Sequence, residues 1–223
     1  MAKKLIKPAL IAVSAGLGLI AIISLFTSRQ TPPSPPNAFA TKTEPIRLPA
    51  LVSATLHKGD IIFRGKDRSW GDLGAQLSDR DKRFGHVGVI VGQPDNWAVI
   101  DAIGNPLDSE GSVRRRALSE FLSPATRASV YRPHLSGDQL DKFLMSIRQH
   151  EVAATPFDRF YDLGDQSALY CTELIWLALK AATGEDQIPE QTLFRNRRVI
   201  AIDDLQYAPL MTEIWTSGVE ADT

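Results

Sequence analysis

With a single cysteine among its 223 residues, the chain cannot close a disulfide within itself, and it cannot build a zinc site of cysteine-rich spacing. No structural metal and no cofactor is expected. There is no phosphate-loop motif and no nucleophile-elbow serine, and Gly85, Gly88 and Gly92 lack the spacing of a dinucleotide loop. Neither charge is in excess: 25 basic residues stand against 26 acidic ones, which leaves no basic footprint for nucleic acid. No internal repeat is visible. The length excludes two full domains beside a membrane segment but accommodates one domain with a real hydrophobic core.

The first forty residues are organised differently from the rest. Lys3, Lys4 and Lys7 precede an uncharged, mostly apolar stretch from Ala9 to Phe26, followed by Arg29 and by Pro32, Pro33, Pro35 and Pro36. That stretch of 18 residues is longer than a typical signal core and near the lower limit for a spanning helix. No amphipathic face can be drawn on it, which argues against a buried core helix. The expectation is a signal anchor or signal peptide over 1–30 and a stiff Pro-rich linker over 31–49, then one folded domain over 50–223. The lysines place the domain on the outer, periplasmic side of a single-pass cytoplasmic-membrane anchor. Ala38-Phe39-Ala40 resembles a signal-peptidase site, and cleavage after Ala40 would instead release a periplasmic or secreted protein. A lipid anchor through a lipobox is excluded, because it needs a cysteine in this region.

Within the domain, Ile61-Ile62-Phe63 reads as a short strand after a turn at Gly59-Asp60, and 70–77 as a helix. The run Val87-Gly88-Val89-Ile90-Val91 and the stretch Trp97 to Ala102 read as a hairpin around Gly92 to Asn96. A short helix near 118–122 and a strand at Ser129-Val130-Tyr131 follow. Leu140, Phe143, Leu144 and Ile147 form a helical stripe, and a last helix over about 169–182 is closed by Gly184. Strands in the first half flanked by helices imply an α+β domain.

In an exported domain the lone Cys171 is an inert buried side chain, half of an intermolecular bridge, or a nucleophile. A thiol attacks as its thiolate, and a helix N-terminus or a neighbouring imidazolium favours that form. With Ser167 or Asp165 as cap of a helix beginning near Leu169, the sulfur lies in the first turn, beside unpaired N–H groups able to serve an oxyanion. Of the four histidines, His86 stands out, since it opens an apolar strand; His134 and His150 have more solvated settings. A turn centred between Gln93 and Pro94 puts residue 86 directly opposite residue 101. Asp101 would then orient the ring, against the alternative of a strand-end carboxylate in water.

Taken together, Gly59-Asp60-Ile61-Ile62-Phe63, Phe84-Gly85-His86-Val87-Gly88-Val89, Val99-Ile100-Asp101-Ala102, Phe157-Asp158-Arg159-Phe160-Tyr161-Asp162 and Leu169-Tyr170-Cys171-Thr172-Glu173-Leu174 resemble the YiiX-like branch of the permuted papain-like cysteine hydrolases, relatives of the NlpC-type cell-wall peptidases. The resemblance covers about residues 56–184. It implies a catalytic helix packed on a small antiparallel sheet, with Cys171 as nucleophile, His86 as general base and Asp101 as orienting group. The chain departs from the branch in carrying Asp101 where glutamate is common.

The function expected on this basis is an anchored cysteine amidase or peptidase acting on cell-wall peptides through a thioacyl-enzyme. The alternatives are a lipid acyl hydrolase or acyltransferase of the same fold, with a lipid-like acyl substrate, and a non-catalytic binding module. Among the remaining residues, Tyr170 is expected to pack, Asp158 and Asp162 to cap and be solvated, Glu173 to serve the helix dipole, and Arg114, Arg115 and Arg116 to form a solvated face.

Overall fold

A computed structural model describes residues 46–66, 73–104, 110–188 and 191–217. The expected membrane segment, the proline run and the Ala38-Phe39-Ala40 site lie outside the described residues. Among those described, no helix is long and apolar enough to cross a membrane. Chain packing is already present at Ile46, whose N–H donates to the Ala125 carbonyl at 2.9 Å.

After α1 (Ala50–Thr55) the chain turns at Gly59, where φ is 92°, a backbone that glycine adopts without a steric cost. Asp60 fixes the turn by accepting the His57 N–H at 2.7 Å and pairing with Arg132, also at 2.7 Å. Then come β1 (Ile61–Gly65), α2 (Leu73–Leu77), β2 (His86–Gln93), β3 (Asn96–Gly104), β4 (Gly111–Ala117), α3 (Leu118–Leu122) and β5 (Arg127–Pro133). The second half holds α4 (Gly137–Val152), α5 (Cys171–Thr183), β6 (Thr192–Phe194), β7 (Arg197–Val199), α6 (Ile202–Gln206) and β8 (Met211–Thr216). Six strands form one antiparallel sheet in the order β4-β3-β2-β1-β5-β8, and β6 and β7 form a separate hairpin.

Alternation along the strands divides the core in two. Ile61, Phe63, Val87, Val89, Val91, Ile100 and Ala102 join Phe143 and Ile147 of α4 and Leu174, Ile175, Ala178 and Leu179 of α5 in one cluster. The intervening Ile62, Ile90 and Val99 join Phe121, Leu122, Ala128 and Val130 in another. Successive side chains of a strand point to opposite faces, so the sheet has a helical face and a second face closed by α3 and the segment before β1.

Two sequence expectations change, and the stretch after Asp203 packs on the domain. The stretch Gly111 to Ala117 is a strand, although its Arg114-Arg115-Arg116 run carries no apolar alternation. It is held there by pairing with β3 from Ala98 to Gly104. The β2–β3 turn is centred between Pro94 and Asp95, not between Gln93 and Pro94: Gln93 pairs with Asn96, and Asp95 takes the left-handed conformation at φ 69°. The stretch after Asp203 supplies β8, which pairs with β5 at the sheet edge.

Candidate active site

Helix α5 begins two residues later than the cap-based expectation. Leu169 is extended: it bridges Phe157, and its N–H donates to the Pro156 carbonyl at 2.9 Å. Asp165 accepts from the Ser167 N–H at 2.9 Å and closes a local turn instead of capping the helix. Tyr170 is the N-cap and Cys171 the first helical residue, so the sulfur sits where the backbone N–H groups have no intrahelical acceptor. The Tyr170 hydroxyl accepts the Ile200 N–H at 2.8 Å, and the Thr172 hydroxyl donates to the Ile200 carbonyl at 2.6 Å. These two bonds fix the start of α5 against the segment entering α6, and they give Tyr170 the packing role expected of it. The buried apolar stripe of α5 anchors the rest, and Gly184 ends the helix at φ 78°.

Glu173 does not simply serve the dipole. It is fully buried; one carboxyl oxygen accepts the Tyr170 N–H at 3.4 Å, while Oε1 has no hydrogen-bond partner. Burial pushes its pKa up to about 8, with the carboxylates of Asp158, Asp162 and Asp165 adding to the rise. Burial thus favours its protonated form at neutral pH. The first turn of α5 then carries no carboxylate charge to compete with an anionic sulfur.

His86 opens β2 and Asp101 lies in β3. Their ring and carboxylate meet, Nε2 to Oδ2 at 2.5 Å, although the observed register does not oppose them. Extended by one pair beyond Val89 and Ile100, it puts Gly88 opposite Asp101, and His86 reaches the carboxylate diagonally. Moving the turn centre by one residue slips the register by two, which preserves the face, and so the pair survives the change. Gly88 is what leaves space for it. A methyl there would lie 2.4 Å from Val99 Cγ1 and 3.1 Å from Asp101 Cβ.

Arg116 departs from the solvated face expected of the arginine run. It is buried, with its guanidinium on both Asp101 oxygens: Nε donates to Oδ1 at 3.2 Å and Nη2 to Oδ2. Nη2 also lies 3.4 Å from His86 Nε2. Arg116 and Arg64 each stand 5.1 Å from the Phe121 ring centroid, and the His86 and Phe121 rings are 5.7 Å apart. Its neighbours behave differently: Arg114 is exposed, and Arg115 pairs with Glu151 at 2.8 Å. The signal that could have found Arg116 is the demand of Asp101 itself, since a carboxylate placed on a central strand needs a cation.

The charges respond accordingly. Burial is the strongest influence on His86 and pushes its imidazole below the ordinary value; Asp101 opposes this, and Arg64 and Arg116 reinforce it. Burial alone would raise the Asp101 carboxyl, but His86 and Arg116 outweigh it and hold the group below the usual carboxylate range. Asp101 is thus an anion, not a solvated strand-end group, and is fully buried.

Cys171 belongs to the cluster on the helical face, whereas the His86 ring leans toward Phe121 on the other. Through Nε2, His86 meets Asp101 and Arg116. Both groups nevertheless stand at the same end of the sheet. Leu169 bridges Phe157, the adjoining Pro156 bridges Ser112, and Ser112 pairs with Ile103, to which the register brings His86 opposite.

The other sequence candidates have structural partners. Asp158 is buried and accepts the Phe160 and Asp162 N–H groups at 2.7 and 2.6 Å in a loop, not a helix; Asp162 accepts that of Gly164 at 3.0 Å. His134 meets the Thr212 hydroxyl at 2.7 Å, and His150 that of Thr155 at 3.0 Å. His57 is exposed. Among the described residues no three of His, Cys, Asp and Glu gather as a metal-holding group.

Comparison with known proteins decides the family. The sequence profile of the permuted papain-like amidase enzymes, YaeF/YiiX, C92 family, matches residues 55–209. The chain belongs to this family. The matched span runs from the end of α1 to the residues after α6 and so includes Cys171, His86 and Asp101. A solved structure, that of the metalloprotein yiiX from Escherichia coli O157:H7, superposes with a TM-score of 0.57 at 20% identity, covering 71% of this chain and 96% of that one. The fold is accordingly an α+β permuted papain-like fold with an antiparallel sheet, and the protein is a hydrolase of the amidase family. No curated protein matches the sequence.

Proposed function

We propose that this amidase-family protein is a cysteine hydrolase that cleaves amide or peptide bonds through a thioacyl-enzyme, acting outside the cytoplasmic membrane on cell-wall peptides. The observation that carries the reading is the buried His86–Asp101 pair at the sheet end where Cys171 begins α5. Asp101 occupies Nε2 and thereby fixes the ring, so Nδ1 is the nitrogen available to the thiol. In the forward step the Cys171 sulfur attacks the carbonyl carbon and its proton passes to Nδ1; collapse of the tetrahedral adduct breaks the C–N bond as Nδ1 returns that proton to the leaving amine. Water then attacks the thioester, giving a proton to Nδ1, which restores it to the sulfur as the acid departs. The N–H groups of the first turn of α5 face the developing oxyanion. The reading requires the thiol to lie within hydrogen-bond reach of Nδ1 in the substrate complex.

The location on the outer side of the cytoplasmic membrane rests on the lysine-flanked apolar segment, and the cell-wall substrate on kinship with the NlpC-type peptidases. Purified full-length protein, incubated with cell-wall peptides or with glycerophospholipids, tests both chemistry and substrate. Release of amines from the peptides with an acyl adduct on Cys171 in the intact mass, both lost in Cys171→Ala, is the expected result. Hydrolysis retained by Cys171→Ala overturns the thioacyl route, and turnover of the lipid alone overturns the substrate.

A further inference from the structure

We infer that Arg116 is a positioning residue for the histidine base: it grips both oxygens of Asp101, turns Oδ2 onto His86 Nε2 and balances the carboxylate charge, so that His86 remains a neutral base between turnovers. This rests on the cysteine-hydrolase reading for its purpose, but not for its geometry.

A buried carboxylate beside an imidazole has two possible consequences. Left uncompensated, it stabilises the imidazolium and traps the base in its protonated form; a nearby opposite charge raises a titration midpoint by roughly one to three units. Gripped by a guanidinium, it still accepts the ring N–H but contributes little net charge. The two-point contact of Arg116 with Asp101 is the second arrangement. A planar fork also fixes the carboxylate rotamer, which a lysine ammonium does not do.

The groups around the ring agree from every side. Arg64 reaches in from β1, Asp101 from β3 and Arg116 from β4, while α3 contributes the Phe121 ring, over which both guanidinium groups lie. Position 88 on β2, next along the same face, is glycine and adds nothing. Two cations against one carboxylate leave the surroundings of the imidazole without negative excess. Phe121 holds them in place: as a cation–π platform it is compatible with a buried guanidinium where an aliphatic side chain would only desolvate it.

The test is the titration of the His86 imidazole by NMR in the full-length protein, its resonance assigned by its loss in His86→Gln. In Arg116→Gln the apparent midpoint of the His86–Asp101 pair is expected to rise by about one unit or more. In Arg116→Lys, which keeps the charge without the fork, it should stay close to native, whereas Arg115→Gln, on the other face, should not move it. An unchanged midpoint in a folded Arg116→Gln, or a lysine variant that shifts as far as the glutamine one, overturns the inference. The native protein supplies a readout that needs no variant to fold. The Arg116 Nε–H should resist exchange with solvent, and its 15N resonance should move with the same midpoint as His86; a fast-exchanging or pH-indifferent Nε–H contradicts the grip. Iodoacetamide labelling of Cys171 across pH keeps the two failures apart. Labelling indifferent to His86→Ala counts against the catalytic reading alone, while the midpoints judge Arg116.

Discussion

Replacing Asp101 by asparagine should be far more damaging than its small change in volume suggests. The Asp101 side chain is 0% exposed and that of Arg116 is 7% exposed, so the substitution leaves a guanidinium cation in the interior without a counter-charge. Removing one partner of a buried ion pair costs about 3–5 kcal/mol. The asparagine amide adds to the cost, because one of its ends must turn NH2 toward either the guanidinium or the imidazole, and a donor there finds no acceptor on Arg116. For a chain of this size each kcal/mol lowers Tm by roughly 2–4 °C, so Asp101→Asn should melt roughly 6–20 °C below the native protein. A urea titration should move its midpoint with little change in slope. The double variant Asp101→Leu with Arg116→Met removes both charges and fills the space with apolar atoms, and it should recover most of the loss. Thermal and urea unfolding of the native protein, of the single variants Asp101→Leu and Arg116→Met and of the double variant complete a mutant cycle. A loss below about 1 kcal/mol for Asp101→Asn, or single losses that simply add in the double, would refute the description of a buried, coupled pair.

Gly88→Ala should cost about 1–3 kcal/mol by overpacking, since its methyl meets Val99 Cγ1 at 2.4 Å, and it should also reduce the effect of His86 on Cys171 alkylation by displacing Asp101. Denaturation and labelling of the same sample check both. Tyr170→Phe leaves the buried Ile200 N–H without its acceptor and should lose about 1–3 kcal/mol while retaining the thiol chemistry, as read by unfolding and by alkylation rate. Glu173 has a folded pKa raised from 4.5 to about 8, so between those values the unfolded chain has lost a proton that the folded chain keeps. Stability attributable to Glu173 therefore falls as pH rises from about 4.5 to about 8, and Glu173→Gln should gain stability relative to native across that window. Parallel unfolding curves that stay equally spaced across it would contradict the burial of an acid at the start of α5.

The parts of the fold that were legible in the sequence are those in which local pattern and tertiary demand agree. The β-branched run Val87 to Val91 alternates between two apolar clusters, and the stripe at Leu140, Phe143, Leu144 and Ile147 belongs to a helix opened by a Ser136–Gln139 capping box. The parts that were not legible depend on partners distant in the chain. Arg114-Arg115-Arg116 has the composition of a solvated surface, and only pairing with β3, the Asp101 carboxylate and the Phe121 ring make it a strand with one buried cation. Leu169 has good helix propensity, which points to an earlier start of α5, but its backbone is taken by Phe157 and Pro156. Likewise Glu173 has the sequence position of a dipole partner, and only its burial, which chain spacing does not encode, makes it a neutral acid. His86 and Asp101 are paired under either turn centre, because a register slip of two residues keeps every side chain on its face.

The most direct test of the central claim is the rate of Cys171 alkylation by iodoacetamide from pH 5 to 9, measured on the full-length protein and on His86→Ala. A sulfur served by His86 should react at least about tenfold faster at neutral pH than in the variant, with reactivity that begins well below the ordinary thiol midpoint of about 8.5. Equal rates in the two proteins, both following an ordinary thiol titration, would contradict the assignment of Cys171 and His86 to one catalytic centre.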